Sequence, residues 1–205
     1  MNGAQALIRT LVSSGVDVCF MNPGTSEMHF VAALDDVPEM RGVLALFEGV
    51  ATGAADGYAR MAERPAAVLL HLGPGLGNGL ANLHNARKGH TPVVSIVGDH
   101  ATYHKQYDAQ LESDIETVAR NVSSFIRTSA KTTELSRDAV DAVAAAIGPP
   151  GQVATLILPA DVSWGEGGEV APPVTAPARA PIDRASVAAA AAALTSGDPA
   201  ALFIG

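Results

Sequence analysis

Six short apolar runs, at 16–21, 43–47, 66–71, 91–98, 125–127 and 153–158, alternate along this chain with segments of helical length. Runs this short, rich in Val, Ile, Leu and Ala and without polar alternation, read as strands buried on both faces. Strands joined by helices lie parallel, because a right-handed crossover brings the chain back to the same end of the sheet. The expected fold class is therefore α/β: a three-layer α/β/α domain on a mostly parallel six-stranded sheet.

The connecting segments carry helix signals. Asn2 caps a first helix with Ala6, Leu7, Leu11 and Val12 on one face, which stops at Gly15. Asn22-Pro23-Gly24-Thr25 makes a tight turn into a helix over 26–34, with Ser26 as its cap. A helix opening at Glu48 ends near Arg64, and the glycine-rich stretch 73–79 reads as the loop that closes the third strand before a helix over 80–88. Further helices are expected over 113–120 and 136–147.

At 205 residues and 48% hydrophobic, the chain can bury a sizeable core. A net charge of −8, a pI near 5.1 and the lack of any basic run set aside nucleic acid and anionic membranes as partners and favour small molecules. Cys19 is the single cysteine, so no disulfide framework or cysteine-rich metal site is expected, and it reads as a core residue in a reducing compartment. With no leader-like or membrane-spanning segment, the expected location is the cytoplasm.

One carboxylate stands out. Glu48 lies between the apolar run 43–47 and a helix of small residues, at the carboxyl end of a strand and in the first turn of a helix. Open α/β sheets bind ligands at that edge, and the helix dipole favours negative charge there. A surface glutamate that merely caps the helix fits the same position.

Asn22-Pro23-Gly24, Phe47-Glu48, the segment 55–60 (Ala-Asp-Gly-Tyr-Ala-Arg) and the segment 73–78 (Gly-Pro-Gly-Leu-Gly-Asn) form an ordered set. With this set, residues 1–163 resemble the pyrimidine-binding domain of thiamine-diphosphate enzymes, in the branch of acetolactate synthase, pyruvate oxidase and benzoylformate decarboxylase. The resemblance implies that Glu48 hydrogen-bonds a ring nitrogen of the cofactor's aminopyrimidine, favouring the imino tautomer that deprotonates the thiazolium carbon. A carboxyl group desolvated by apolar and small neighbours suits that role, because desolvation favours its protonated form. Pro23, Gly24 and Asn78 are implied to approach the pyrimidine. In the match to benzoylformate decarboxylase, Thr25 falls at a serine beside the substrate carboxylate and His71 at a histidine that moves protons. A histidine satisfying a strand end is the plainer reading of His71. His100 and His104, in a loop, are not expected to bind metal; a place beside the substrate or on an exposed loop are both open.

Gly98-Asp99-His100 with Asn121 imitates the family's magnesium and diphosphate motif but lacks its last glycine and second asparagine. Magnesium needs hard oxygen ligands, and no other stretch supplies them. Mg2+ and the diphosphate are therefore expected on a domain outside this chain. Residues 164–181 read as a linker, and 182–205 as the start of a truncated central α/β domain, with a helix over 182–194 and a strand over 201–204. The expectation is a fragment of a three-domain enzyme or a subunit of a split one, acting on a 2-keto acid as a decarboxylase (lyase). An acetolactate synthase-like carboligase is the alternative, and a non-catalytic scaffold a third reading. The site is implied to form between two copies, as homodimer or homotetramer, so the chain alone is expected to be inactive and to bind the cofactor weakly.

Overall fold

The computed structural model describes residues 1–174 and 180–203. Its centre is one six-stranded, all-parallel sheet in the order β2-β1-β3-β4-β6-β5. The strands are β1 (Val18–Asn22), β2 (Arg41–Leu44), β3 (Ala66–His71), β4 (Val93–Asp99), β5 (Phe125–Thr128) and β6 (Val153–Pro159). The helices are α1 (Gly3–Ser13), α2 (Met28–Ala33), α3 (Glu48–Ala62), α4 (Leu72–Lys88), α5 (Ile115–Ala119), α6 (Thr132–Ile147), α7 (Ala160–Trp164) and α8 (Arg184–Leu194).

The alternation of side chains along each strand divides the core in two. Ala67 and Leu69 of β3 pack with Leu7 and Leu11 of α1, Phe30 of α2 and Leu135 of α6 on one face. Val68 and Leu70 pack with Ala51 and Ala55 of α3, and Leu76 and Leu83 of α4, on the other. The inner strands β3, β4 and β6 are buried on both faces, which is why their sequences are continuous apolar runs. α1 starts with a capping box: Asn2 Oδ1 accepts from Gln5 N–H at 2.9 Å, and Gln5 Oε1 from Asn2 N–H at 3.1 Å.

Three expectations about the sheet and the helices on it are corrected. The second strand is not the buried run 43–47 but β2, an edge strand whose neighbour in the sheet is β1; Ala45 is buried and Val43 packs on the core, but Leu44 and Leu46 are exposed (Leu46 94%) and Phe47 half exposed, so most of that apolar run forms a rim rather than core. The helix expected from Ser26 is a 3-10 turn (Thr25–Glu27) leading into α2 at Met28, and no side chain caps it. The stretch 73–79 is not a loop but the first two turns of α4. Two of its glycines, Gly73 and Gly79, are tolerated there because neighbours lie too close for side chains. A Cβ on Gly79 would sit 2.8 Å from Thr52 Cγ2 of α3, and one on Gly73 would sit 2.2 Å from Ser113 Cβ. Pro74 falls in the first turn, where an N–H has no helical partner to lose.

Residues 165–174 lie along α1 in extended form. Gly3 N–H donates to Gly165 O and Gly168 N–H to Met1 O; Ala171 N–H donates to Thr10 Oγ1 and Val174 N–H to Ser14 Oγ. α8 is capped by Asp183, whose carboxylate accepts from Ala185 and Ser186 N–H, and all its residues are exposed. Residues 201–203 form no strand, and Ile204 lies outside the described residues. No helix among the described residues is long and apolar enough to cross a membrane.

Candidate active site

The strand order reverses around β1, which has β2 on one side and β3 on the other. At such a switch point the flanking connections leave on opposite faces and open a crevice at the carboxyl ends of the strands. β1 delivers Asn22-Pro23-Gly24 to this crevice, and β3 delivers His71.

β3 passes into α4 with no intervening loop. The corner residue, Leu72, sits at φ 52°, a left-handed conformation that costs about 1–2 kcal/mol for a residue with a Cβ. Burial of the Leu72 side chain, 1% exposed, offsets this. The sharp corner holds His71 at the mouth of the crevice, and a Cβ on Gly24 would lie 2.5 Å from its ring, so only glycine fits there.

His71 is held by a residue not anticipated from the sequence. Glu27, in the 3-10 turn after Gly24, is fully buried; its Oε2 lies 2.7 Å from His71 Nδ1 and accepts from Gly24 N–H at 2.7 Å. Burial pushes the Glu27 carboxyl above its ordinary value, against the opposing pull of the Gly24 N–H and of His71. Its other oxygen, Oε1, is buried with no hydrogen-bond partner among the described residues, above Gly98 of β4, where a Cβ would lie 1.5 Å away. One signal was available in the sequence: Glu27 stands three residues after Gly24, the capping-box spacing that lets a carboxylate reach back to a backbone N–H.

Glu48 is the first residue of α3, half-buried, so the full desolvation expected from its apolar neighbours is absent. Asn78 Nδ2 donates to its Oε2 at 3.0 Å. Thr52 Oγ1 donates to the Glu48 carbonyl at 3.0 Å, and Asn82 Nδ2 to the Gly49 carbonyl at 2.7 Å, fixing the first turn that carries the acid. Gly75 joins the two halves: a Cβ there would lie 3.4 Å from Glu48 Oε1 and 3.6 Å from His71 Cβ. The structure thus gathers Gly24, His71, Glu48 and Asn78 around the start of α4. Pro23 is half-buried in the same turn, and Thr25 is exposed at its end.

His100 and His104 follow β4. Their rings stand 5.5 Å apart, and His104 and Tyr107 are separated by the same distance. Asp99 is 1% exposed, with its oxygens engaged by Lys105 Nζ and His100 N–H.

Residues 1–119 match the family described as thiamine pyrophosphate enzyme, N-terminal TPP binding domain, and the chain belongs to that family. It is 65% identical over 206 residues to IlvX of Mycobacterium tuberculosis, provisionally named an acetolactate synthase large subunit, over 100% of this chain and 39% of that protein. Benzoylformate decarboxylase of Pseudomonas aeruginosa is 45% identical over 85 residues, 41% of this chain and 16% of the enzyme. The thiamine diphosphate-dependent 4-hydroxybenzoylformate decarboxylase of Rhodococcus jostii RHA1 shares the fold, with a TM-score of 0.84 at 22% identity over 96% of this chain and 38% of that one. The chain thus spans well under half the length of these relatives.

Proposed function

We propose that this chain is the pyrimidine-binding part of a thiamine-diphosphate-dependent lyase that decarboxylates a 2-keto acid. The observation that carries the reading is the pairing of two acid-bearing corners in one crevice, Glu48 with Asn78 on one side and Glu27 with His71 on the other.

The residues fit an aminopyrimidine. Glu48 offers a carboxyl group that can share a proton with a ring nitrogen, Asn78 orients it, and the bare Cα of Gly75 lets a flat ring approach. The cofactor, when bound, supplies the electron sink for cleavage beside a carbonyl. Glu27 holds His71 through Nδ1, which leaves Nε2 to take or give a proton at the substrate. Thr25 offers a hydroxyl to the substrate carboxylate, and Pro23 and Gly24 line the ring's approach. Mg2+ and the diphosphate belong to a domain elsewhere in the longer protein or in a partner chain, brought to the crevice in a cytoplasmic homo-oligomer. The exposed Leu46, Phe47 and Val50 beside Glu48 suit a surface that another subunit covers. Residues 164–181 and 182–205 then lead from this domain into a central one.

A carboligase of the acetolactate synthase kind is the second reading, favoured by the name of the 65% identical mycobacterial relative. Product analysis of the holoenzyme decides. Carbon dioxide and free aldehyde from pyruvate or an aromatic 2-keto acid are expected. Acyloin from pyruvate would move the protein to the carboligases, and no turnover at all would make it a non-catalytic relative.

A further inference from the structure

The loop over 100–113, between β4 and α5, has little apolar footing. Ala101 is its one buried residue, and a cavity of about 550 Å³ separates it from Thr128 of β5 and Ile157 of β6. Charge holds it instead. Lys105 Nζ lies 2.5 Å from Asp99 Oδ2 and 3.0 Å from Glu112 Oε1. Asp99 ends β4 and Glu112 closes the loop, so one ammonium group from its middle ties both feet together. Thr102 N–H adds a bond to Asp161 at 3.0 Å, and His100 Nε2 lies 3.2 Å from Gln110 O.

Both feet stand beside the crevice. Gly98, just before Asp99, is the register partner of His71, and Ser113 packs on Gly73, two residues beyond His71. The rings of His100, His104 and Tyr107 follow one another along the loop at 5.5 Å.

We propose that Lys105 is a positioning residue, whose ammonium group locks the 100–113 loop as a pre-formed wall of the substrate pocket beside His71. This rests on the reading of the crevice as the site of a 2-keto acid enzyme. Without the ammonium group, Asp99 Oδ2 and Glu112 Oε1, both within 3.0 Å of one nitrogen, face each other as like charges with no counter-charge from Lys105, and their repulsion drives the two feet of the loop apart. The wall shapes the pocket and takes no part in bond breaking, so its loss is felt in substrate binding rather than turnover.

The test compares Lys105→Met and Lys105→Arg with the parent. Amide exchange is read first on this chain without ligands. The N–H groups of His104, Tyr107, Asp108 and Glu112 all donate within the loop. In Lys105→Met they are expected to exchange about tenfold faster, with β3 and β4 unchanged, and Lys105→Arg is expected to restore most of the protection. In the holoenzyme, KM for the 2-keto acid is expected to rise about fivefold with kcat held within about twofold. Unchanged loop exchange, or an even rise through the whole sheet, would mean an ordinary stabilising ion pair and overturn the lock. A loop that opens with KM unmoved would overturn the wall. The exchange arm needs no substrate, so it stands even if product analysis defeats the enzymatic reading. If Lys105→Met does not fold, Glu112→Gln, which removes one anchor, reads the same four amides.

Discussion

Glu27 and Glu48 reach one crevice from neighbouring connections, and they are held in opposite ways. Glu27 is fully buried: its carboxylate takes the Gly24 N–H, pairs with His71 and rests on the bare backbone of Gly98. Glu48 is half-buried, its one side-chain hydrogen bond among the described residues comes from Asn78, and the chain around it exposes Leu46, Phe47 and Val50. An acid whose partners are nearly all in its own chain is committed to holding something in place. One left half-exposed, with a single side-chain partner among the described residues, suits the cofactor role proposed for it.

The sharpest way to break this contrast is to neutralise the open acid. Glu48→Gln is expected to lower kcat of the holoenzyme about a thousandfold, as for loss of a proton-transferring group, while the melting temperature moves by less than about 1 °C. An unchanged rate would remove Glu48 from the chemistry. Crowding the sealed acid should show the reverse pattern. Gly98→Ala places a Cβ on Glu27 Oε1 and is expected to cost about 3 kcal/mol in urea unfolding. That cost should shrink in a Glu27→Ala background, where nothing remains to collide with.

Glu27→Gln is expected to cost about 2 kcal/mol by weakening the bonds to Gly24 and His71. It also has a pH signature. Burial raises the Glu27 carboxyl above its ordinary 4.5, so the folded chain holds that proton more tightly than the unfolded one. The resulting stabilisation is complete below 4.5 and is lost as pH rises through the folded value. The stability difference between parent and Glu27→Gln should therefore fall as pH rises above 4.5 and level off beyond the folded value, and a pH-independent difference would mean that the carboxyl is not desolvated. The smallest effect is expected from Asn78→Ala, about 1 kcal/mol in cofactor affinity by titration calorimetry of the holoenzyme, with stability unaffected.

The same contrast explains what the sequence discloses. β3, β4 and β6 are buried on both faces, so their apolar runs can hardly mean anything else, and the parallel sheet follows from them. The run before Glu48 has the same composition yet lies mostly on the rim, because hydrophobicity alone does not say whether a strand sits inside the sheet or at its edge. α4 was hidden by its glycines, and the purpose of Gly73 and Gly79 becomes visible only when Ser113 and Thr52 are seen pressed against them. Glu48 and His71 stand out by their places at strand ends, whereas Gly24 and Asn78 were named only through the resemblance to thiamine-diphosphate enzymes, and Asn78 lies on α4 and not in the loop expected there. Glu27 was not, since in sequence it reads as one more polar residue in a helix start, and its burial depends on Gly98 two strands away.

The extended segment 165–174 runs in the same direction as α1, meeting Met1 and Gly3 first, then Thr10, then Ser14. Tension applied along the α1 axis from residue 174 onward would load these links together, in shear, whereas a sideways pull would unzip them one by one from Ser14. The segment is thus a directional coupling. Movement of whatever follows it along that axis would be transmitted to α1, and through Leu7 and Leu11 to the face of the sheet whose strands carry His71 and Asp99.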